Sequence, residues 1–204
     1  MSQTGVRAAQ RMATRERIVS AAIDVLRSNG VAATSTLEVQ KAAGVSRGAL
    51  LHHFPTRKDL VRALIDELVR RNEAVVDTAL ATAAGDDQVG RAVHALWAAA
   101  QAESALLEMD LWHAARSDDE LRTALIDAER AAGRDLTRVV ARAFGVEYAG
   151  NPRLPLVTSM TLALIRGLST GQVLRTSTKA ANQAIDQWVS LAHELLNPTA
   201  KGSS

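Results

Sequence analysis

The chain contains no proline between Pro55 and Pro152, and 38 of its 204 residues are alanine. Proline interrupts the hydrogen-bond ladder of a helix, whereas alanine loses no side-chain entropy when it becomes helical. An alanine-rich, proline-free stretch of this length therefore predicts an all-α fold, and it argues against an all-β or a disordered chain.

Residue types and segments that the sequence lacks limit the compartment in which the protein can act and the kinds of site that it can contain. There is no cysteine, which excludes disulfides, thiolate zinc sites and cysteine nucleophiles. The longest largely apolar run, residues 154–165, is too short and too polar to span a bilayer, and residues 1–14 lack the apolar core of a signal peptide. We expect a cytoplasmic protein that binds no membrane, no metal and no cofactor.

Charge is distributed unevenly along the chain. Residues 1–60 contain nine Lys or Arg and four Asp or Glu, a balance of +5, whereas the other 144 residues carry a balance of −3. A basic N-terminal part followed by a mildly acidic remainder predicts that a polyanion binds the N-terminal part alone.

Apolar periodicity and capping signals divide the chain into helices. Asn29-Gly30 is a typical helix end, and Thr56 with Asp59 at the third position is a typical helix start. The predicted helices cover residues 14–29, 35–43, 46–53, 56–84, 88–108, 110–116, 119–144, 155–175 and 178–196. Residues 1–13 are predicted to form a flexible basic arm, and residues 197–204 a disordered tail.

The most specific local signal is a pair of short helices joined by Gly44-Val45. Ser35 and Glu38 have the spacing of a capping box, in which the serine hydroxyl accepts from the Glu38 amide and the carboxylate reaches back to the helix start. Ser46 is a good N-cap for the second helix. Two such helices around a glycine turn predict a helix-turn-helix. The residues predicted to face the preceding helix are Val39, Ala42 and Leu50.

The second of these helices presents a face that fits the major groove of DNA. Arg47 lies in its first turn, where a guanidinium can bridge guanine O6 and N7. Gly48 costs about 1 kcal/mol relative to alanine in a helix, and close approach to another surface is one reason for such a residue. Helix N-termini and nearby cations are suited to phosphates. The predicted DNA contacts are Ser35, Thr36, Ser46, Arg47, Gly48, Leu51, His52, Arg57 and Lys58.

Several of these side chains have simpler explanations when each is taken alone. Arg47 by itself is a solvated surface arginine, and Arg7 and Arg11 belong to a disordered arm more readily than to a minor groove. His52 and His53 are disfavoured as a metal pair, because adjacent helical residues point about 100° apart. It is therefore the spacing of the whole motif, and no single side chain, that predicts binding to DNA.

The motif extends over Gly44-Val45-Ser46-Arg47-Gly48, Leu50, His53-Phe54-Pro55-Thr56-Arg57 and Leu60. Over residues 14–74 this pattern resembles the TetR family of transcriptional regulators. It departs at Leu51, where the family usually has a phosphate-contacting tyrosine, and Arg57 replaces the usual lysine. The resemblance implies a homodimer that binds a double-stranded DNA operator, a repressor more often than an activator, and a small-molecule effector in a C-terminal helical domain.

The rest of the chain contains a cluster of large and polar side chains among small ones. His94, Trp97 and Gln101 share a helical face, as the wall of an apolar cavity with a few polar anchors would. For each residue taken separately, ordinary core or surface packing is the simpler explanation. The predicted pocket residues are His94, Trp97, Gln101, Glu108, Met109, Trp112, His113, Arg166 and Gln172.

The last two helices are rich in apolar and small residues at helical spacing. Such helices either pack against their symmetry copies as a four-helix bundle, which the TetR resemblance implies, or complete the core of the protomer. The predicted dimer residues are Leu162, Ile165, Ile185, Trp188, Val189, Ala192 and Leu195.

The patterns together predict an N-terminal three-helix helix-turn-helix domain followed by a C-terminal helical domain. The DNA-binding domain covers residues 14–74, including the start of the long fourth helix, and the ligand-binding and dimerisation domain covers residues 75–196. The favoured function is a ligand-responsive transcriptional regulator. The alternatives are a helical module that binds a small molecule or a partner, and an enzyme, although no Gly-x-Ser-x-Gly, metal-spaced His/Glu set or glycine-rich phosphate loop is present.

Overall fold

The computed structural model describes residues 3–83, 86–172 and 177–197, and every regular element within these ranges is helical. In chain order the helices are α1 (Gln3–Ala33), α2 (Thr36–Ala43), α3 (Arg47–His53), α4 (Arg57–Thr82), α5 (Gln88–Ala100), α6 (Glu103–Ala114), α7 (Asp119–Phe144), α8 (Leu154–Gln172) and α9 (Lys179–Leu196), with a 3-10 turn at Val146–Tyr148. The predicted all-α fold is confirmed. No helix in the described ranges is long and apolar enough to cross a membrane.

The chain forms two compact units. Unit 1 comprises the residues up to 69 together with 107–132, and unit 2 comprises residues 70–106 together with those from 133 onward. The predicted division near residue 74 left residues 107–132 in the C-terminal domain, whereas their contacts are with the helix-turn-helix. The reason is that Leu107, Leu111 and Leu121 are buried in the same core as that motif.

The core of unit 1 holds the helix-turn-helix against α1. Val39 of α2 and Leu50 of α3 are buried, as predicted, in one cluster with Ile18 of α1. The prediction for Ala42 is wrong, since this residue is exposed and Ala43 is buried instead. Residues four apart share a helix face, so it is Ala43 that continues the buried side begun by Val39.

Unit 2 has its own core, formed by α5, α8 and α9 with the second halves of α4 and α7. Two buried tryptophans find acceptors for their indole N–H groups across helix pairs. Trp188 of α9 donates to Thr161 of α8 at 2.8 Å, and Trp97 of α5 donates to Asn182 of α9 at 3.0 Å. These bonds satisfy groups that would otherwise be buried without a partner.

The N-terminal segment differs from the predicted flexible arm. From Gln3 onward the chain is part of α1, so the arm is helical over all of its described residues. At the other end of α1, Gly30 has a φ of 75°, and this breaks the regular helix where the Asn29-Gly30 signal predicts. Of the predicted disordered tail, only Asn197 lies within the described residues.

The predicted break between residues 108 and 110 is also wrong. α5 ends at Ala100 and α6 begins at Glu103, so the chain turns earlier. Contacts on either side of the turn favour this position: Gln101 donates to Ser169 of α8 at 3.3 Å, and Ser104 donates to Asn72 of α4. Both contacts join residues far apart in the sequence, so a local capping signal could not predict the position of the turn.

Candidate nucleic-acid interface

α3 presents one face to the outside of unit 1. Leu50 anchors the opposite face and is 2% exposed. Arg47 and His52 are exposed, and Leu51 is 42% exposed. The guanidinium of Arg47 forms neither a hydrogen bond nor an ion pair with the described residues. This face therefore offers an uncompensated cation in the first turn of a short, well-anchored helix.

The turn that presents α3 has the geometry that the capping signals predict. Ser35 Oγ accepts from the Glu38 amide at 3.2 Å, and Ser46 Oγ accepts from the Ala49 amide at 3.1 Å. Gly44 ends α2 in the left-handed region, with φ 61° and ψ 37°. Because glycine has no Cβ, it adopts this conformation without strain, and α3 leaves the turn in one defined direction.

The second half of the predicted capping box is wrong. The Glu38 carboxylate pairs with Lys41 at 2.8 Å, and the Ser35 amide donates to the Ala33 carbonyl at 2.8 Å. Since that amide already has an acceptor, the carboxylate is available to the cation three residues further on. The Ser35 hydroxyl accepts from its own helix and keeps its hydrogen to donate, for instance to a phosphate.

Gly48 is not required by the packing of unit 1. A Cβ built at this position meets nothing closer than Ser46 Oγ at 4.0 Å, and φ is not positive. A helical glycine that relieves no crowding and adopts ordinary backbone angles lowers the stability of the helix relative to alanine without any local compensation. The missing side chain does, however, leave room for another surface to approach the outer face of α3.

The first turn of α4 is closed by a reciprocal cap. The Thr56 hydroxyl and amide donate to the Asp59 carboxylate at 2.7 and 3.1 Å, and the Asp59 amide donates to Thr56 Oγ1 at 3.1 Å. This arrangement satisfies orphan amides at the helix start and positions Arg57 and Lys58.

The two cations of this turn are already paired within unit 1. Arg57 donates to Asp118 at 3.1 Å and to Glu120 at 3.2 Å, and the Arg57 side chain is 32% exposed. Lys58 pairs with Asp127 of α7. A phosphate that contacts Arg57 or Lys58, as predicted, would therefore have to share these cations with the carboxylates or displace the carboxylates from them.

The same contacts keep these carboxylates charged. The pKa of Asp118 lies below its usual value, first because the carboxylate accepts from the Leu121 amide and further because the Arg57 guanidinium lies beside it. The pKa of Asp127 is lowered by the hydrogen bond and the charge of Lys58. At neutral pH both groups are therefore anions, with which any external phosphate would have to compete for the cations of α4.

The sequence of this region matches a known family. Residues 18–64 match the model that describes the tetR family of bacterial regulatory proteins. We call residues 18–64 the TetR segment. This TetR segment contains α2, α3 and the first turn of α4, so the resemblance is confirmed for the part of the chain that presents the exposed face.

Curated relatives match over the same part of the chain. HTH-type transcriptional regulator CymR of Pseudomonas putida is 42% identical over 67 residues, which are 31% of this chain and 33% of that protein. HTH-type transcriptional regulator TtgR, also of Pseudomonas putida, is 42% identical over 55 residues, 27% of this chain and 26% of that protein. The matched part thus spans a third or less of each relative.

Solved structures match over most of the chain. A transcriptional regulator from Rhodococcus sp. Rha1 has a TM-score of 0.65 and 22% identity, covering 88% of this chain and 96% of that one. The multidrug binding protein EbrR, solved with imidazole, has a TM-score of 0.60 and 23% identity, covering 85% and 93%. At this identity the match establishes the fold, an N-terminal helix-turn-helix with a helical C-terminal domain.

The residues predicted to form a pocket outside the TetR segment fall into both units. In unit 2 are His94, Trp97, Gln101, Arg166 and Gln172, and in unit 1 are Glu108, Met109, Trp112 and His113. Trp112 packs against the core of unit 1, and Glu108 and Met109 are half-buried, while His113 is exposed. The nine residues therefore do not form one cluster within either unit.

Within unit 2 the predicted pocket residues have different environments. Trp97 is core, bonded to Asn182, and His94 and Arg166 are exposed. Gln101 is exposed as well and donates to Ser169, whereas the amide nitrogen of Gln172 is buried without a hydrogen-bond partner in the described residues. Gln172 therefore remains the polar anchor of the pocket prediction.

The predicted dimer residues divide between the core and its edge. The four that are buried in the protomer are Ile165, Ile185, Trp188 and Ala192, with exposures of 3, 0, 8 and 0%. In the protomer these four side chains complete the core of unit 2, the alternative that the sequence left open, because helical periodicity identifies an apolar face but not the element that covers it. Leu162, Val189 and Leu195 are half-buried beside the core of unit 2.

Sequence reasoning missed the apolar side chains that do face outward. Leu156 and Met160 of α8 are 52% and 49% exposed, and Leu191 of α9 is 52% exposed. Residues 156 and 160 share a face by their four-residue spacing, opposite the buried side of α8. The signal available in the sequence of α8 was a second, weaker apolar stripe.

Proposed function

We propose that the chain is a homodimeric regulator of transcription, a repressor that binds a palindromic DNA operator and is released from it by a small-molecule effector. The observation that carries the proposal is the outer face of α3. Within the TetR segment, Arg47 and His52 are exposed on a capped helix, and Arg47 has no partner among the described residues. A protein with this function acts in the cytoplasm, where the operator is found.

Recognition of the operator divides into two kinds of contact. Arg47 in the first turn of α3 reads a guanine through O6 and N7 in the major groove. The hydroxyls at the N-termini of α2 and α3, those of Ser35, Thr36 and Ser46, donate to phosphates. Leu51 stands where a tyrosine hydroxyl is usual in the family, so one phosphate contact is replaced by an apolar contact to a thymine methyl or a sugar.

The dimer is proposed to form through the outward faces of α8 and α9. Leu156, Met160 and Leu191 are apolar and about half exposed, which suits a surface covered by a second copy. A two-fold axis between copies would place two α3 helices on one side of the duplex. The expected half-sites then lie about 34–36 Å apart, or a multiple of it.

A small-molecule effector is supported by one structural relative and by one polar group in unit 2. EbrR is described as a multidrug binding protein and was solved with imidazole and with proflavin. In this chain the buried amide nitrogen of Gln172 is a donor without an acceptor among the described residues. An effector changes DNA affinity only by its differential affinity for the two forms, typically about 1–3 kcal/mol.

The experiment that tests the function is selection of bound duplexes from a random DNA library, followed by footprinting. We expect an enriched inverted repeat with the half-site spacing given above, and a steep loss of affinity as salt rises. Proflavin is then titrated into the protein in the absence of DNA, because the dye itself intercalates into duplexes, and its fluorescence reports binding to the protein. Absence of any enriched sequence, or an affinity unchanged between low and moderate salt, would overturn the proposal.

The dimer is tested by sedimentation of two charge-introducing variants. Leu191→Glu is expected to sediment as a monomer, whereas Leu106→Glu, at a leucine that is 42% exposed on α6, is expected to remain dimeric. A dimer that survives the change at Leu191 and at Met160 places the interface elsewhere.

A further inference from the structure

The first half of α1 carries a line of arginines. Arg7, Arg11 and Arg15 follow one another at four-residue intervals, so their Cα atoms are about 6 Å apart along the axis and lie on one side of the helix. All three side chains are exposed, and residues 1–15 contain no Asp or Glu. We call these three residues the arginine stripe.

The arginine stripe has no anionic partner in the described part of the chain. None of its three guanidinium groups forms an ion pair there. Elsewhere on α1, by contrast, Arg27 pairs with Asp24 at 2.9 Å. Three aligned cations without compensation repel one another, and an external polyanion relieves that repulsion.

The stripe leads to the C-terminal end of α3. The Arg15 guanidinium lies 5.2 Å from the centroid of the Phe54 ring, and Phe54 is the residue that ends α3. Burial lowers the pKa of His53, and the neighbouring positive charges, those of His52, Arg11 and Arg15, lower it further. The stripe and α3 are therefore neighbours within unit 1.

We propose that the arginine stripe binds the phosphate backbone of duplex DNA and adds sequence-independent contacts to those of α3. This inference rests on the proposed function. A duplex carries one negative charge per about 1.7 Å of its axis, a denser line of charge than the stripe itself, so phosphates are within reach of each of the three guanidinium groups. The continuity of the stripe with α3 selects DNA over other polyanions, because a molecule bound at α3 is already beside Arg15.

The helix gives the stripe an advantage over the flexible arm that the sequence predicts. A disordered arm loses conformational entropy when it is ordered on DNA. In α1 the backbone is already ordered, and only the side chains of the three arginines have to be positioned. Sequence-independent contacts of this kind increase affinity and fix orientation without selecting bases.

The test is the double variant Arg7→Ala/Arg11→Ala, compared with the wild type by fluorescence anisotropy at 50, 100 and 200 mM salt. Two probes are used: a duplex selected by the wild type from a random library, and a scrambled duplex of equal length. Alanine is the best helix former, so α1 is retained, and circular dichroism checks this. A matched control, Arg17→Ala/Lys179→Ala, removes the same charge; Arg17 points away from the stripe, and Lys179 lies in unit 2.

Loss of two phosphate contacts makes the slope of log affinity against log salt about 1.8 smaller in magnitude. The affinity ratio of wild type to variant is then expected to fall about 12-fold between 50 and 200 mM. Both probes should lose affinity equally, because phosphates are the same in every sequence. Arg7→Lys/Arg11→Lys keeps the charge and is expected to keep the slope.

Three results would overturn the inference. A double variant with the wild-type slope shows that the stripe does not touch DNA. An equal loss in the Arg17/Lys179 control shows an effect of net charge alone. A change in the ratio of affinities for the two probes shows base contact instead of phosphate contact. If the wild type binds neither probe, the proposed function fails together with the inference.

Discussion

The cation of α3 and those of α4 differ in whether a carboxylate neutralises them, although the sequence predicts DNA contacts for all of them. Arg47 is exposed and unpaired within the described residues, whereas Arg57 is held by Asp118 and Glu120, and Lys58 is held by Asp127. A free cation gains its whole interaction with DNA on binding, while a paired one gains only the difference between DNA and its carboxylate.

Any DNA contact of α4 would therefore depend on the start of α7 and on Asp118, the residue before it. The carboxylates that hold Arg57 and Lys58 come from residues 118–127, more than fifty residues further along the chain. Any movement of that part of α7 within unit 1 would free the two cations or restrain them more firmly. The contacts of α3 have no such competitor among the described residues, so they are expected to be constant.

Replacement of the unpaired cation should have the largest effect. For Arg47→Ala we expect a loss of about 1–3 kcal/mol in binding to a selected duplex, roughly 5- to 150-fold, because a bidentate guanine contact is removed. Affinity for a scrambled duplex should fall much less. Competition gel shifts with the two duplexes measure the ratio, and undiminished specific binding would remove Arg47 from the interface.

Release of the paired cation should have a smaller effect of opposite sign. In Asp118→Asn/Glu120→Gln the Arg57 guanidinium loses its carboxylates and becomes available to a phosphate. We expect tighter DNA binding and a salt slope steeper by about 0.9, equivalent to a three- to fourfold change between 50 and 200 mM salt. Anisotropy titrations at those two concentrations measure it.

The neighbouring Asp119 provides a control for the loss of a negative charge in this segment. Its carboxylate is 88% exposed and pairs with Arg122 three residues further on, away from Arg57. Asp119→Asn also removes a negative charge beside α4 and should leave the slope as it is. Weaker DNA binding in Asp118→Asn/Glu120→Gln would mean that the ion pairs position α4 for DNA instead of competing with it.

Substitution of Gly48 is expected to affect the stability of α3 and its binding to DNA in opposite directions. Gly48→Ala should raise the free energy of unfolding by up to about 1 kcal/mol, because alanine is the better helix former and the space is open. The added methyl group should nevertheless weaken DNA binding a few-fold if another backbone approaches there. Urea denaturation and anisotropy measure the two effects.

Gly171 offers the comparison, since it is helical and also uncrowded but lies in α8. Gly171→Ala should stabilise without any change in DNA affinity. If Gly48→Ala stabilises and binds as the wild type does, the surface of α3 does not come into close contact with DNA at this residue.

Acid should weaken the α4–α7 ion pairs of unit 1 by a small amount. The pKa values of Asp118 and Asp127 are lower in the folded chain than the ordinary value of 3.8. Each carboxylate therefore stabilises the fold above that value, and this stabilisation is lost as pH falls through the lower, folded pKa. Both side chains are partly exposed, so solvent screening keeps the effect small.

The measurement compares urea denaturation midpoints of the wild type and Asp118→Asn between pH 6 and pH 3. The variant should lose less stability over this range, because the amide does not titrate. Identical pH dependence in the two proteins would show that the contacts of Asp118 do not stabilise the fold.

The geometry of the helix-turn-helix could be predicted from short stretches of sequence. The caps at Ser35 and Ser46 and the left-handed Gly44 involve atoms no more than four residues apart. Such features depend on backbone angles and neighbouring amides, which each short segment carries with it. The outward face of α3 could be predicted as well, because Leu50 is the side chain of this helix that packs into the core of unit 1.

Long-range pairing could not be predicted in this way. Periodicity shows that Ile185 and Trp188 share an apolar face, but α5 and α8 cover that face inside the protomer. The salt bridge between Arg57 and Asp118 joins residues 61 positions apart, and each of them alone has the pattern of a solvated charge. Local chemistry thus specified the outward face of α3, whereas the packing of distant segments determined which charges and apolar faces remain free to meet a partner.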